Sequence, residues 1–306
     1  MATYFARKAG NINASDVWAT TPTGTAAAVT LASGDVLMAN SFAITVNIST
    51  TVAEVRNDIT GGATVGGTFA LSDGVTLSAN VFTGTSGSAG LSLSSTSSAS
   101  VNGNITVPST SNGVGVQHIG TGVLTISSTS ISAGNNMAVS ASSGTVNCTA
   151  TNITAGNGTN CHGISASVVN VNASQITGGS NSNCVGVNVT SSGTITGLLV
   201  GGSNATAYGA NTPTSGTLTI TGSARGGTQG AGVNNTSGVL NITRAIGNGF
   251  GAGSVGSSAV AGVSAGQNSQ TNIEQIEYGI LGQTPTTGPV RLKKNSGNVA
   301  VFTLCD

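Results

Sequence analysis

Glycine recurs at a fixed interval through the middle of this chain: Gly163, Gly186, Gly209 and Gly232 follow one another every 23 residues. The segments they open read alike, with GVNVTSSGTITG from Gly186, GANTPTSGTLTITG from Gly209 and GVNNTSGVLNIT from Gly232. Ala138 follows Gly115 at the same interval, while the step from Ala138 to Gly163 is 25 and that from Gly232 to Gly262 is 30, as insertions at corners would produce. A repeat of this length, too short to bury a core by itself, requires neighbouring copies to stack.

Within a unit, short runs alternating Val, Ile, Leu and Thr are separated by Gly, Ser and Asn, which is strand and turn chemistry without a helical period. Each coil is therefore expected to hold three short strands. Three apolar columns are expected to face inward. The first holds Ile131, Ile153, Ile176 and Leu199, and the second Val139, Ile164, Val187 and Val233. The third holds Leu124, Val146, Ile195, Leu218 and Leu240. The fold class expected is all-β: a parallel β-helix, or β-solenoid, of roughly 23-residue coils, with an N-terminal arm or cap and a C-terminal cap resembling a β-hairpin. The domain reading is an arm or cap over 1–28, a solenoid over 29–283 with its clearest repeats at 112–250, and a cap or docking segment over 284–306.

Composition supports a folded body. Gly contributes 47 of 306 residues, yet 38% of the chain is hydrophobic, which a disordered Gly/Ser linker would lack. Aromatics make up only 3%, so aliphatic side chains must fill a thin interior.

Charge narrows the function. The eight acidic residues are Asp16, Asp35, Glu54, Asp58 and Asp73, then Glu274, Glu277 and Asp306. Residues 74–273 hold no acid, and their only formal charges are Arg225 and Arg244. Glycosidases use a pair of carboxylates, and calcium sites use carboxylate ligands, so an acid-free stretch argues against both chemistries and for a non-enzymatic protein. A formal net charge of zero argues against nucleic-acid binding, which needs clustered cations. Two small basic clusters stand out at the ends: Arg7 with Lys8, and Arg291 with Lys293 and Lys294. They read either as solvated ends or as anchors to an acidic partner surface. Tyr4 and the only Trp, Trp18, sit beside the first cluster. Trp18 reads as a plug for the end of the core, or alternatively as a contact residue.

Of the four cysteines, Cys161 and Cys184 are one period apart. In-register parallel neighbours point the same way, so a column of buried thiols is expected before a disulfide. His162 would face away from Cys161, and His118 lies two coils earlier, so no metal or cofactor is expected. The pairs Gly178–Gly179 and Gly226–Gly227 read as turns, since no helix follows them as a phosphate loop requires. No apolar run reaches membrane-spanning length, and Arg7 and Lys8 are followed by polar residues instead of a signal-peptide core, so no membrane association is expected and synthesis in a cytoplasm is.

The stretch DVWATTPTGTAAAVTLASGDVLMANSFAITVNISTTVAEVRND, from Asp16 to Asp58, joins a Trp, a GDVL step, an AN pair and a TVN strand before the repeats begin. It resembles the β-helical virion proteins of tailed bacteriophages, a group of head decoration proteins, fibres and tailspikes. The resemblance covers the first 80 or so residues by motif and the rest by architecture. It implies a structural protein of the virion surface, generally trimeric, with one terminus attached to the particle. The missing acidic cleft, the short chain and the lack of a heptad-bearing segment depart from the tailspike pattern. The expected function is that of a trimeric capsid decoration or cement protein bound to the major capsid protein or another virion protein. Its expected anchors are Tyr4, Arg7, Lys8, Trp18, Arg291, Lys293 and Lys294. A tail or head fibre contacting the host is the alternative. An ice-binding reading rests on rows such as Thr194 with Thr196, or Thr217 with Thr219 and Thr221, and a polysaccharide-degrading reading would need carboxylates from the ends.

Overall fold

In the computed structural model the chain is all-β, with no helix among the described residues and with parallel coils of about 23 residues stacked as a β-solenoid. The structure describes residues 1–56, 67–83, 92–95, 98–107, 113–181, 183–202, 207–211, 216–227, 232–247, 263–278, 290–294 and 300–304; at 92–95, 236–237, 246–247 and in the last three stretches it describes the backbone. The chain divides into two compact units, Met1–Thr151 and Asn152–Asp306.

The first unit contains β1 (Thr3–Ala6), β2 (Gly10–Asn11), β3 (Trp18–Ala19), β4 (Val36–Met38), β5 (Ala43–Val46), β6 (Thr50–Arg56), β7 (Thr68–Leu71) and β8 (Thr76–Thr83). It continues with β9 (Ser92–Ser95), β10 (Ala99–Thr106), β11 (Val116–His118), β12 (Val123–Ser127), β13 (Ser130–Ser132), β14 (Val139–Ala141) and most of β15 (Thr145–Thr154). Three parallel ladders arise because every second residue of each strand is apolar and points inward. One ladder aligns Ile44, Phe69, Leu93, Val116 and Val139. A second aligns Leu77, Val101, Ile126 and Cys148, and a third Val55, Phe82, Ile105 and Ile131. All of these whose side chains are described are buried. The N-terminal segment is woven into the stack: β1 pairs in parallel with β4 and antiparallel with β3, and β2 pairs in parallel with β5.

The second unit contains β16 (Ile164–Thr177), β17 (Val187–Val200), β18 (Ala210–Asn211), β19 (Thr217–Arg225), β20 (Val233–Gly247), β21 (Val263–Tyr278), β22 (Val290–Lys294) and β23 (Ala300–Leu304). The expected short strands are merged here. β16 and β17 each run 14 residues and turn through register shifts, so one strand passes through more than one ladder. The inner columns are Ile164, Val187, Ala210 and Val233; Val171, Ile195, Ile220 and Ile242; and Ile176, Leu199, Ala224 and Ala245. The parallel succession ends on a hairpin, β22 antiparallel to β21 and β23 antiparallel to β22.

One expected column is corrected. Ile195 pairs with Ile220 and not with Leu218, whose partners are Gly193 and Leu240. The partner spacing grows from 23 residues at Asn188 and Asn211 to 25 at Gly193 and Leu218, a displacement of two relative to the repeat. A two-residue slip keeps every side chain on its own face, so the hydrophobic pattern is unchanged by it. Gly193 stands opposite Leu218 because a Cβ there would lie 2.4 Å from a Val169 methyl.

The glycines that define the repeat are explained by the next coil. A Cβ on Gly163 would lie 2.6 Å from Gly186 O, one on Gly186 2.6 Å from Gly209 O, and one on Gly209 2.8 Å from Gly232 O. Each carbonyl belongs to the glycine one coil on, so the backbones stack where any other residue would place a side chain. Beside this column the side chains continue the pairing. Asn188 Nδ2 donates to Ser165 Oγ at 3.2 Å, Asn211 Nδ2 to Asn188 Oδ1 at 2.9 Å, and Asn234 Nδ2 to Asn211 Oδ1 at 3.0 Å. Each link spans 23 residues and contributes about 0.5–1.5 kcal/mol.

Gly186→Ala should therefore cost about 1–3 kcal/mol, because the methyl meets backbone carbonyls that cannot rotate away. Urea unfolding checks this; an unchanged midpoint would mean that the coils do not approach so closely.

Candidate functional site

The expected anchors separate into two groups. Tyr4 is half-buried on β1, opposite Leu37. Arg7 donates a guanidinium hydrogen bond to Pro22 O, and exposed Lys8 forms an ion pair with exposed Asp16. That pairing holds the Asp16 carboxyl below its usual value. The first basic cluster is thus bonded to its own chain, Lys8 beside an opposite charge. Trp18 is fully buried and its Nε1–H donates to Ile12 O at 2.7 Å, so its ring is part of the core and offers no face to a partner in this conformation. Arg291, Lys293 and Lys294 belong to the other unit, on β22, at positions opposite Thr303, Val301 and Ala300; their side chains lie outside the described residues.

Four carboxylate side chains are described, and all four bond within the fold. Asp16 pairs with Lys8. Asp35, buried, accepts the Ala2 and Ala32 N–H groups, each at 2.8 Å. Glu54 Oε1 accepts from Arg56 Nε at 2.6 Å and from Thr83 Oγ1 at 3.2 Å. Asp73 accepts the Ser98 N–H at 3.1 Å. Asp58 and Asp306 lie outside the described residues, as do the side chains of Glu274 and Glu277.

The cysteines behave as interior groups. Cys161 and Cys184 are buried thiols in one cluster with Ala155, and the Cys161 N–H donates to Cys184 Sγ at 3.2 Å. Burial, with Cys184 adding to it, pushes the Cys161 thiol up to about 11, and burial pushes Cys148 up to about 12. Cys305 lies outside the described residues. His162 is held down to about 4 by burial, and its Nδ1 accepts the Val185 N–H at 3.3 Å. No group of three or more metal-ligating side chains occurs among the described residues. The threonine rows align over two coils, Thr194 with Thr219 and Thr196 with Thr221, and pass to Asn170 and Asn172 on one side and Asn241 on the other.

A groove of about 470 Å³ lies in the second unit. It crosses four successive coils at one corner. One side is the row Thr154, Thr177, Val200 and Arg225; register aligns the last three, and the Ala155 N–H to Thr177 O bond of 3.0 Å brings Thr154 alongside. The floor is glycine, with Gly178 and the pairs Gly201–Gly202 and Gly226–Gly227. A Cβ on Gly202 would lie 1.7 Å from Gly179 O, so only glycine allows this floor.

The floor is not an anion nest. Gly178 N–H donates to Val200 O at 2.9 Å, Gly201 N–H to Arg225 O at 2.8 Å, and Gly179 and Gly202 N–H to the carbonyls of Cys161 and Cys184 at 2.9 and 3.0 Å. Recognition would therefore fall to the side chains at its rim. Arg225 is exposed there, and Arg244 sits on the next coil, opposite Ser223. The two formal charges of the stretch 74–273 thus share one face, and Glu277 follows two coils on from Arg225 in the same row. The signal was present in the sequence as the 23-residue step from Thr154 to Thr177 to Val200 beside repeated glycine pairs. It could not be distinguished there from ordinary turn composition.

Comparison with known protein families, with curated proteins and with solved structures finds no match to this chain.

The Asp35 bonds have a pH consequence. The Ala2 N–H bond is the largest influence on the carboxyl, burial opposes it, and Ala32 N–H adds to it, with the net effect that its pKa lies below the ordinary value. Its stabilising contribution is complete above the ordinary carboxylate range and is lost as pH falls through the lowered value. Asp35→Asn should lower the thermal midpoint at neutral pH and weaken its dependence on acid. Equal midpoints for both proteins across that range would remove Asp35 from this role.

Proposed function

We propose that this chain is a non-enzymatic structural protein of a tailed-bacteriophage particle, a decoration or cement protein that acts as a trimer on the capsid surface. The observation that carries the non-enzymatic reading is the fate of the acids: each of the four described carboxylates is bonded within the fold, and residues 74–273 have none. Glycoside hydrolysis by a pair of carboxylates needs acids placed at the substrate, and residues 74–273 supply none.

The particle assignment rests on the resemblance of the Asp16–Asp58 segment together with the kind of body that follows it. Stacked coils with few charges, joined by backbone ladders and an asparagine ladder, suit a component that must resist force and proteolysis. A protein that binds only the assembled shell stabilises that shell by mass action, and closed symmetric oligomers match the local symmetry of a shell. In this reading the shell contact falls to the terminal segments, with Tyr4, Arg7 and Lys8 at one end and Arg291, Lys293 and Lys294 at the other.

Quantitative mass spectrometry of purified particles, with copies of this chain measured against the major shell protein, tests the assignment. Copies on the order of hundreds per particle are expected, since decoration follows shell symmetry. A few dozen or fewer would replace decoration with a fibre role. Absence from particles would contradict the proposal altogether.

A further inference from the structure

We infer that the glycine-floored groove of the second unit is a docking site for a short extended polypeptide segment that ends in a carboxylate, with Arg225 receiving that carboxylate.

Size is the first argument. The groove's volume of about 470 Å³ lies within the range of ligand pockets. From the coil of Thr154 to that of Arg225 are three coil steps, about 14 Å at the spacing of parallel strands. An extended chain advances about 3.3–3.6 Å per residue, so the groove holds about four residues. Val200, half-exposed in the row, gives the lining apolar contact for small side chains.

Charge placement is the second argument, and it decides the class of ligand. The lining residues include one cation, Arg225, at the end of the row, with Arg244 one coil beyond; Thr154, Thr177 and Val200 carry no charge. An anionic polysaccharide or a nucleic acid bears charge on every unit and needs cations along its whole track. Glycan recognition would also call on aromatic stacking, and among the described residues no aromatic side chain lines the groove. A peptide with its negative charge at one end fits a groove with its cation at one end. A guanidinium fork meets a carboxylate through two parallel hydrogen bonds, which sets the direction of the bound chain as well as its affinity.

Fluorescence anisotropy with the 306-residue chain tests this. The probes are labelled tetrapeptides of small apolar residues with a free C-terminal carboxylate, the same peptides as C-terminal amides, and labelled heparin. Carboxylate peptides should bind at least tenfold more tightly than their amides, with the difference shrinking as salt rises. Arg225→Gln should remove that tenfold preference. Thr177→Trp, which fills the groove from a half-exposed position, should abolish binding of both peptide forms; each variant is checked for a wild-type circular-dichroism melt. Equal binding of acid and amide, binding unchanged by both substitutions, no binding at millimolar peptide, or preference for heparin would each overturn the assignment.

Discussion

The constraint on which the structure depends is the distance between successive coils. Parallel strands in register leave no room between backbones, and at Gly163, Gly186 and Gly209 the next coil's carbonyl occupies the place a Cβ would take. Glycine at these points is what allows the Ile164, Val187, Ala210 and Val233 column to close on one side and Ile176 and Leu199 on another. The same close stacking brings amide to amide at Asn188, Asn211 and Asn234, so that backbone and side-chain ladders run together. Each coil depends on its neighbour for its hydrogen bonds and for the cover of its apolar residues, which is the reason repeat folds are stable only as arrays.

Polar and charged groups are arranged around that constraint. Buried Asp35 binds two backbone N–H groups, Glu54 joins Arg56 to Thr83, and Asp73 caps a turn through Ser98. The bonds of Asp35 to Ala2, Glu54 to Thr83 and Asp73 to Ser98 connect segments 33, 29 and 25 residues apart. Cys148, Cys161 and Cys184 join the interior as small apolar groups, with the Cys148 and Cys161 thiols raised by burial. Arg225 lines the groove at the glycine corners, and Arg244 lies one coil beyond it.

Much of this was legible in the sequence because the repeat is a direct consequence of stacking. The period, the parallel coils, the C-terminal hairpin and two of the three expected apolar columns could be read from glycine spacing and alternation. The third column could not, since the two-residue displacement that pairs Ile195 with Ile220 leaves the alternation intact. Other features have no signature of their own. Asn160 and Asn183 hold left-handed conformations, with φ of 58° and 60°, one period apart, yet Asn is common throughout this chain. The asparagine ladder is hidden for the same reason. Trp18 was readable as either core or contact, and only its burial and its bond to Ile12 separate the two. The groove arises from residues in four coils and is invisible until register brings them together.

Paired nitroxide labels at Thr196 and Thr221 test the stacked register most directly. Both side chains are exposed and occupy equivalent places on adjacent coils. Their backbones should stand about 4.8 Å apart, so the doubly labelled protein should show strong dipolar broadening that each single label lacks. A spectrum equal to the sum of the two single-label spectra would contradict the coil register on which the account is built.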